Sequence, residues 1–242
     1  MDASRRQQYL DALGIVSWVR RDRAAAVSST DASVMPEAAE PQPADSFLKD
    51  EPVKPAAAGG WEALEAAVAH CTACALHRSR THTVFGVGDH HARLMIIGEA
   101  PGAEEDRQGE PFVGRAGQLL NAMLRAIGLD RSQVFIANIL KCRPPGNRNP
   151  QADEVKACIH FLQQQVALVR PRAILAVGGV AAHNLLQTDD AVGRLRSRMH
   201  TYGEENTPLL VTYHPAYLLR RPEEKAKAWQ DLQKLHGLLQ AD

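Results

Sequence analysis

The stretch RLMIIGEAPGAEEDRQGEPFVGRAGQLL, residues 93–120, decides the architecture. Its start, Arg93 to Gly98, reads as a short strand: an apolar run, closed by glycine, of the kind buried on both faces of a sheet. Its end opens a helix from Arg115 to Gly128, with Leu119, Leu120, Met123, Leu124 and Ile127 on the buried side. Towards the C-terminus the alternation repeats. Val134 to Leu140 is followed by a helix from about Gln151 to Val169, Ala173 to Val177 by a helix through Leu186, and Leu209 to Tyr213 by a helix from about Pro222 to Leu239. Four strand–helix units predict a single α/β domain with a central, mostly parallel four-stranded sheet flanked by helices.

Towards the N-terminus, WEALEAAVAHC places Trp61, Leu64 and Val68 on one helical face, so the folded domain is expected over 61–242. Between Ala24 and Ala58 there are ten Ala and five Pro with no sustained periodicity, which predicts a disordered linker over 24–60. Residues 5–21, RRQQYLDALGIVSWVRR, space Tyr9, Leu10, Leu13, Val16 and Trp18 as an amphipathic helix, expected within 1–23. Such a helix either docks on its own domain or binds a partner protein.

Apolar residues make up 45% of the chain, enough for one sizeable core, and no run approaches a membrane span. The start leads into Gln and Asp rather than an apolar secretory segment, so a soluble, cytoplasmic monomer is expected. Charges balance at 28 against 28, so any nucleic-acid contact must rest on local basic clusters. In a reducing compartment the four cysteines, Cys71, Cys74, Cys142 and Cys158, point to metal ligation or catalysis rather than disulfides. Their spacing is C-x2-C, then 67 residues, then C-x15-C. Thiolate quartets suit zinc or an iron–sulfur cluster; spacing does not separate them, and chemistry alone gives zinc the edge.

Ligands of open α/β sheets sit beyond the carboxyl ends of the strands. Here those ends run into GEAPGAEED (98–106) with PFVG (111–114), into KCRPPGNR (141–148) after Asn138, into Gly178-Gly179, and into HPAYLLR (214–220). Singly each is weak: Gly and Pro mark turns, Glu104 to Asp106 suit a solvated helix start, and a lone His214 is commonly structural. Asn138 is harder to dismiss, because an amide in an apolar strand must find partners for both its ends. Convergence on one rim is what favours a site.

Taken together, GEAPGAEEDRQGEPFVGRAGQLL, ANILKCRPP, HPAYLLR and the placed cysteines resemble the iron–sulfur uracil-DNA glycosylases called family 4, over about Cys71 to Leu239. The resemblance implies a DNA-repair glycosylase that removes uracil and leaves an abasic site. It also implies a structural [4Fe-4S] cluster on Cys71, Cys74, Cys142 and Cys158, reversing the preference for zinc. Phe112 would stack on the flipped base, Asn138 would read its edge, His214 would hydrogen-bond uracil O2, and the backbone of Ala100 would donate as well. Glu99 and Glu105 are the acidic candidates, for the water or sugar cation and for excluding the thymine methyl. DNA contacts are expected from Arg143, Arg148 and Arg220, which otherwise read as surface charge. Leu218 or Leu219 is expected as a wedge, unless both begin a core face. The competing class is a non-catalytic iron–sulfur nucleic-acid-binding protein of the same fold.

Overall fold

The computed structural model describes residues 60–241. The helix expected in 1–23 and the linker expected in 24–60 lie outside the described residues, apart from Gly60, which opens the first helix. The helices are α1 (Gly60–Ala69), α2 (Ala103–Gln108), α3 (Arg115–Ala126), α4 (Ala152–Val169), α5 (Gly179–Leu186), α6 (Val192–Leu195), α7 (Pro215–Arg220) and α8 (Lys225–Gln240). The strands are β1 (Val87–Gly88), β2 (Leu94–Gly98), β3 (Phe135–Asn138), β4 (Ala173–Val177), β5 (His200–Tyr202) and β6 (Thr207–Thr212).

The strands form one sheet in the order β1-β3-β2-β4-β6-β5. The four expected strands are its parallel centre, and β1 and β5 add an antiparallel strand at each edge. The four-stranded expectation is therefore corrected to six. The edge strands are two and three residues long and only partly buried, so they carry no alternation for a pattern to detect. α2 and α7 were likewise not separated from their surroundings; Pro222 opens a new 3₁₀ turn between α7 and α8.

Side-chain alternation along the strands builds two cores. Met95, Ile97, Ala137, Ile174, Ala176 and Val211 meet residues of α1, α4 and α5 on one face. Leu94, Ile96, Ile136, Leu175, Val177 and Leu210 meet α3, α7 and α8 on the other. Burial on both faces is why β2 and β4 read as continuous apolar runs. The order β3-β2-β4 means that the chain leaves β2 to one side and returns to its other side. The C-terminal ends of β2 and β4 therefore form a topological switch point, where a crevice opens. Register places Gly98 beside Asn138 and Val177 beside Thr212, so these ends form one rim.

The far end of that rim is held by a buried ion pair. Asp231 of α8 is fully buried; its Oδ2 accepts from Thr212 Oγ1 (2.9 Å) and Arg196 Nε (2.9 Å), and its Oδ1 lies 2.9 Å from Arg196 Nη2. Removing one member of such a pair leaves an uncompensated charge. Asp231→Ala is expected to lose about 3–5 kcal/mol in urea unfolding, and Thr212→Val, which removes one donor to the carboxylate, about 1.5–3 kcal/mol.

Candidate active-site crevice and cysteine pocket

The crevice is built around the last residue of β2. A Cβ placed on Gly98 would lie 2.4 Å from Asn138 Oδ1 and 2.7 Å from Phe112 Cζ, so amide and ring converge over bare backbone. Asn138 is 2% exposed, and its Oδ1 has no hydrogen-bond partner within the protein. A buried carbonyl oxygen left unpaired is costly, so this one is a candidate acceptor for a donor from outside the protein.

Phe112 stands above it with φ of 53°, a left-handed conformation unfavourable for a bulky residue and typical of functional sites. Gly117 permits it, because a Cβ there would lie 1.7 Å from the Phe112 carbonyl oxygen. Glu105, from α2, spends Oε1 on the N–H groups of Val113 (2.9 Å) and Gly114 (3.0 Å). It thus holds the loop that carries the ring.

The His214 ring lies 5.7 Å from that of Phe112, centroid to centroid. His214 caps α7: its Nδ1 accepts from the Ala216 N–H (3.1 Å), which leaves the ring proton on Nε2. Burial, then the charge of Arg220, holds its pKa down to about 4 against the opposing charge of Glu105. The ring is therefore a neutral Nε2–H donor. Glu99, half-buried, has its carboxyl pushed above the usual range by burial, and its carbonyl accepts from the Leu140 N–H (3.1 Å). Ala100 is half-buried and packs against the core.

The structure sorts the expected DNA contacts. Arg220 is exposed on α7, close enough to His214 to act on it electrostatically. Arg143 is half-buried and donates through Nε to Asn147 Oδ1 (2.7 Å). Arg148 is engaged in a two-point pair with the buried carboxylate of Glu154 (2.9 and 2.6 Å), fastening its loop to the start of α4. Leu218 is corrected: it is 1% exposed and packs in the core, while Leu219, 37% exposed, is the leucine of that segment facing outward.

All four cysteines are free and line one pocket. Cys71 and Cys74 follow α1, Cys142 follows β3, and Cys158 lies on α4. Arg80 Nη1 donates to Cys142 Sγ (3.1 Å) and the Lys141 N–H to Cys158 Sγ (3.3 Å), the kind of donors that support thiolate charge. Burial pushes the Cys158 thiol up to about 11 and raises that of Cys142, against the opposing effects of Lys141 and Arg80 respectively. Among the described residues, no three His, Cys, Asp or Glu side chains are grouped closely enough for a single metal ion.

Sequence reading missed Lys141, Arg131 and Gly98 as functional parts. Lys141 is buried and its Nζ donates to the Asn138 carbonyl (2.9 Å) and to Gln165 Oε1 (2.6 Å). An ammonium in an apolar strand end was the available signal, because a buried charge must be paired.

Fold and rim together define an α/β protein that gathers Gly98, Phe112, Asn138 and His214 at the carboxyl ends of its parallel strands. Residues 85–233 match the model of the uracil DNA glycosylase superfamily. The chain is 40% identical over 176 residues to a type-4 uracil-DNA glycosylase of Pyrobaculum aerophilum, covering 70% of this chain and 90% of that protein. It is 39% identical over 174 residues to that of Archaeoglobus fulgidus (69% and 87%) and 38% over 180 residues to that of Thermotoga maritima (72% and 92%). The chain belongs to the type-4 uracil-DNA glycosylase family.

The histidine assignment predicts a titration. In 15N-histidine NMR, His214 should hold the Nε2–H tautomer at pH 7 and protonate only near pH 4. The unfolded chain takes up that proton around the ordinary histidine value of about 6.5. His214 therefore subtracts stability as pH falls from there towards 4, and subtracts none above the unfolded value. Protonation of the folded protein near pH 6.5 would overturn the buried, neutral ring.

Proposed function

We propose that the protein hydrolyses the N-glycosidic bond of uracil in DNA, releasing uracil and leaving an abasic site for base excision repair. The observation that carries this reading is the unpaired, buried Asn138 Oδ1 beneath the Phe112 ring. An enzyme acting on a base in a duplex must swing it out of the stack and read its edge. Uracil N3–H supplies the donor that Oδ1 lacks, and the Asn138 NH2 donates to O4. Cytosine reverses both groups and leaves the amide mispaired. Phe112 stacks on the ring.

Bond cleavage puts negative charge on the leaving pyrimidine and positive character on the sugar. His214 Nε2–H donates to O2 and the Ala100 N–H supports it, donors aimed where negative charge develops. Glu99 orients water and faces the cationic sugar. Glu105 holds the Phe112 loop against the space a thymine methyl would need. Arg143 and Arg220 neutralise phosphates, and Leu219 fills the gap left by the flipped base.

Cys71, Cys74, Cys142 and Cys158 hold a [4Fe-4S] cluster. Four thiols around one pocket, two buried and two half-buried, with N–H donors to the buried pair, suit a polynuclear thiolate-bound group. When bound, the cluster supplies a rigid cross-link between the segment after α1, the loop 141–148 and α4, and takes no part in the bond cleavage. Residues 61–242 form this glycosylase domain. The protein acts as a cytoplasmic monomer on uracil-containing DNA.

A uracil-containing oligonucleotide treated with the protein and then with alkali should break at the uracil. Removing the His214 donor (His214→Ala) should slow single-turnover cleavage by roughly 10²–10³-fold. Absence of cleavage by cluster-loaded protein that still binds the oligonucleotide would leave a DNA-binding module instead. Iron and sulfide analysis of anaerobically purified protein should find both together, with loss on Cys142→Ser. Stoichiometric zinc without sulfide would remove the cluster.

A further inference from the structure

The backbone that presents Phe112 is held from two sides by opposite charges. Arg131 Nη1 donates to the Phe112 carbonyl (3.2 Å) and Arg131 Nη2 to the Pro111 carbonyl. Glu105 Oε1 accepts from the next two N–H groups, those of Val113 and Gly114. Four consecutive residues thus each have one polar backbone group taken by one guanidinium or one carboxylate. Arg131 itself springs from a stiff support. It opens the 3₁₀ turn Arg131–Gln133, closed by a reciprocal capping box between Asp130 and Gln133, immediately before β3. β3 ends on Asn138.

We propose that Arg131 is the positioning residue for the base-stacking ring: its planar fork spans two successive carbonyls, keeps Phe112 in its left-handed conformation, and ties the ring to the strand that carries Asn138. The inference rests on the uracil-removing function proposed above and deepens it. A flexible Lys ammonium at this position donates as a point charge and does not reproduce the fork. The Glu105 carboxylate and the Arg131 guanidinium act on one loop from opposite ends, so neither replaces the other.

The test is a double-mutant cycle read as single-turnover uracil excision by cluster-loaded protein, with thermal unfolding recorded for every variant. Wild type and Phe112→Ala come first: a slower but still measurable single-turnover rate in the latter establishes the stacking role independently of Arg131. Arg131→Met is expected to slow excision by roughly 10- to 100-fold, the scale of a misplacement of about 1 Å. Arg131→Lys should fall between it and wild type. In the Phe112→Ala background, Arg131→Met should cost less than about twofold further, because residues acting as one unit are non-additive. If Arg131→Met accumulates poorly, the same cycle is run with Arg131→Lys, whose penalty should vanish in the same way. Overturning results are a full rate for the Arg131 variant beside an impaired Phe112→Ala, or an equal fold-loss in both backgrounds, which a merely structural arginine would give. An inactive wild type, or a fully active Phe112→Ala, would strike the proposed function or its stacking step instead.

Discussion

The close approach of Asn138 Oδ1 and the Phe112 ring to the end of β2 is the constraint on which the rest of the site depends. It requires a residue without a side chain at position 98, because any Cβ there would occupy the place of the amide oxygen. It also requires Asn138 level with Gly98, which the parallel β2–β3 ladder provides. A one-residue slip in that ladder would turn Asn138 to the opposite face and bury an amide in an apolar core. The apolar patterning of β2 and β3 therefore protects the site as well as the fold.

Each rim group is then held by polar atoms drawn from another layer. Phe112 has Arg131 and Glu105; the carbonyl of Asn138 has the Lys141 ammonium, itself steadied by Gln165, whose amide donates to the Phe85 carbonyl (2.9 Å). The strand leading to His214 has Thr212 bonded to Asp231, with Arg196 completing the group. Such buried polar sets are high-stakes: satisfied, they lock a single geometry, and half-satisfied they cost more than an apolar filling. Lys141 also links crevice and cysteines. Burial holds its pKa down to about 8, and a charge on Cys158 would work against that.

The parallel centre of the sheet was legible because β2, β4 and their partners are apolar runs separated by helices of period 3.6. The rim residues were legible by position, as whatever follows a strand in such a sheet. The braces were not: Arg131 to Phe112, Lys141 to Gln165 and Arg196 to Asp231 join residues 19, 24 and 35 apart, and periodicity carries no record of long-range pairing. The choice between Leu218 and Leu219 was invisible for a related reason. Both suit a short helix, and which of them turns inward depends on how that helix packs against the core.

The electrostatics of the crevice follow from burial acting on both signs of charge. Burial lowers the basicity of His214 and raises the pKa of Glu99, so the site without substrate disfavours an imidazolium and a carboxylate alike. In the proposed reaction that aversion is useful. A neutral imidazole donates without adding a cation that would oppose the developing sugar charge, and a carboxylate at Glu99 gains most from that sugar charge as the bond breaks. Groups whose favourable interaction grows with the charge of the transition state contribute to rate rather than to ground-state affinity. In that proposed reaction the burial that makes an unpaired Asn138 Oδ1 costly also strengthens the hydrogen bond it would form with a base N–H.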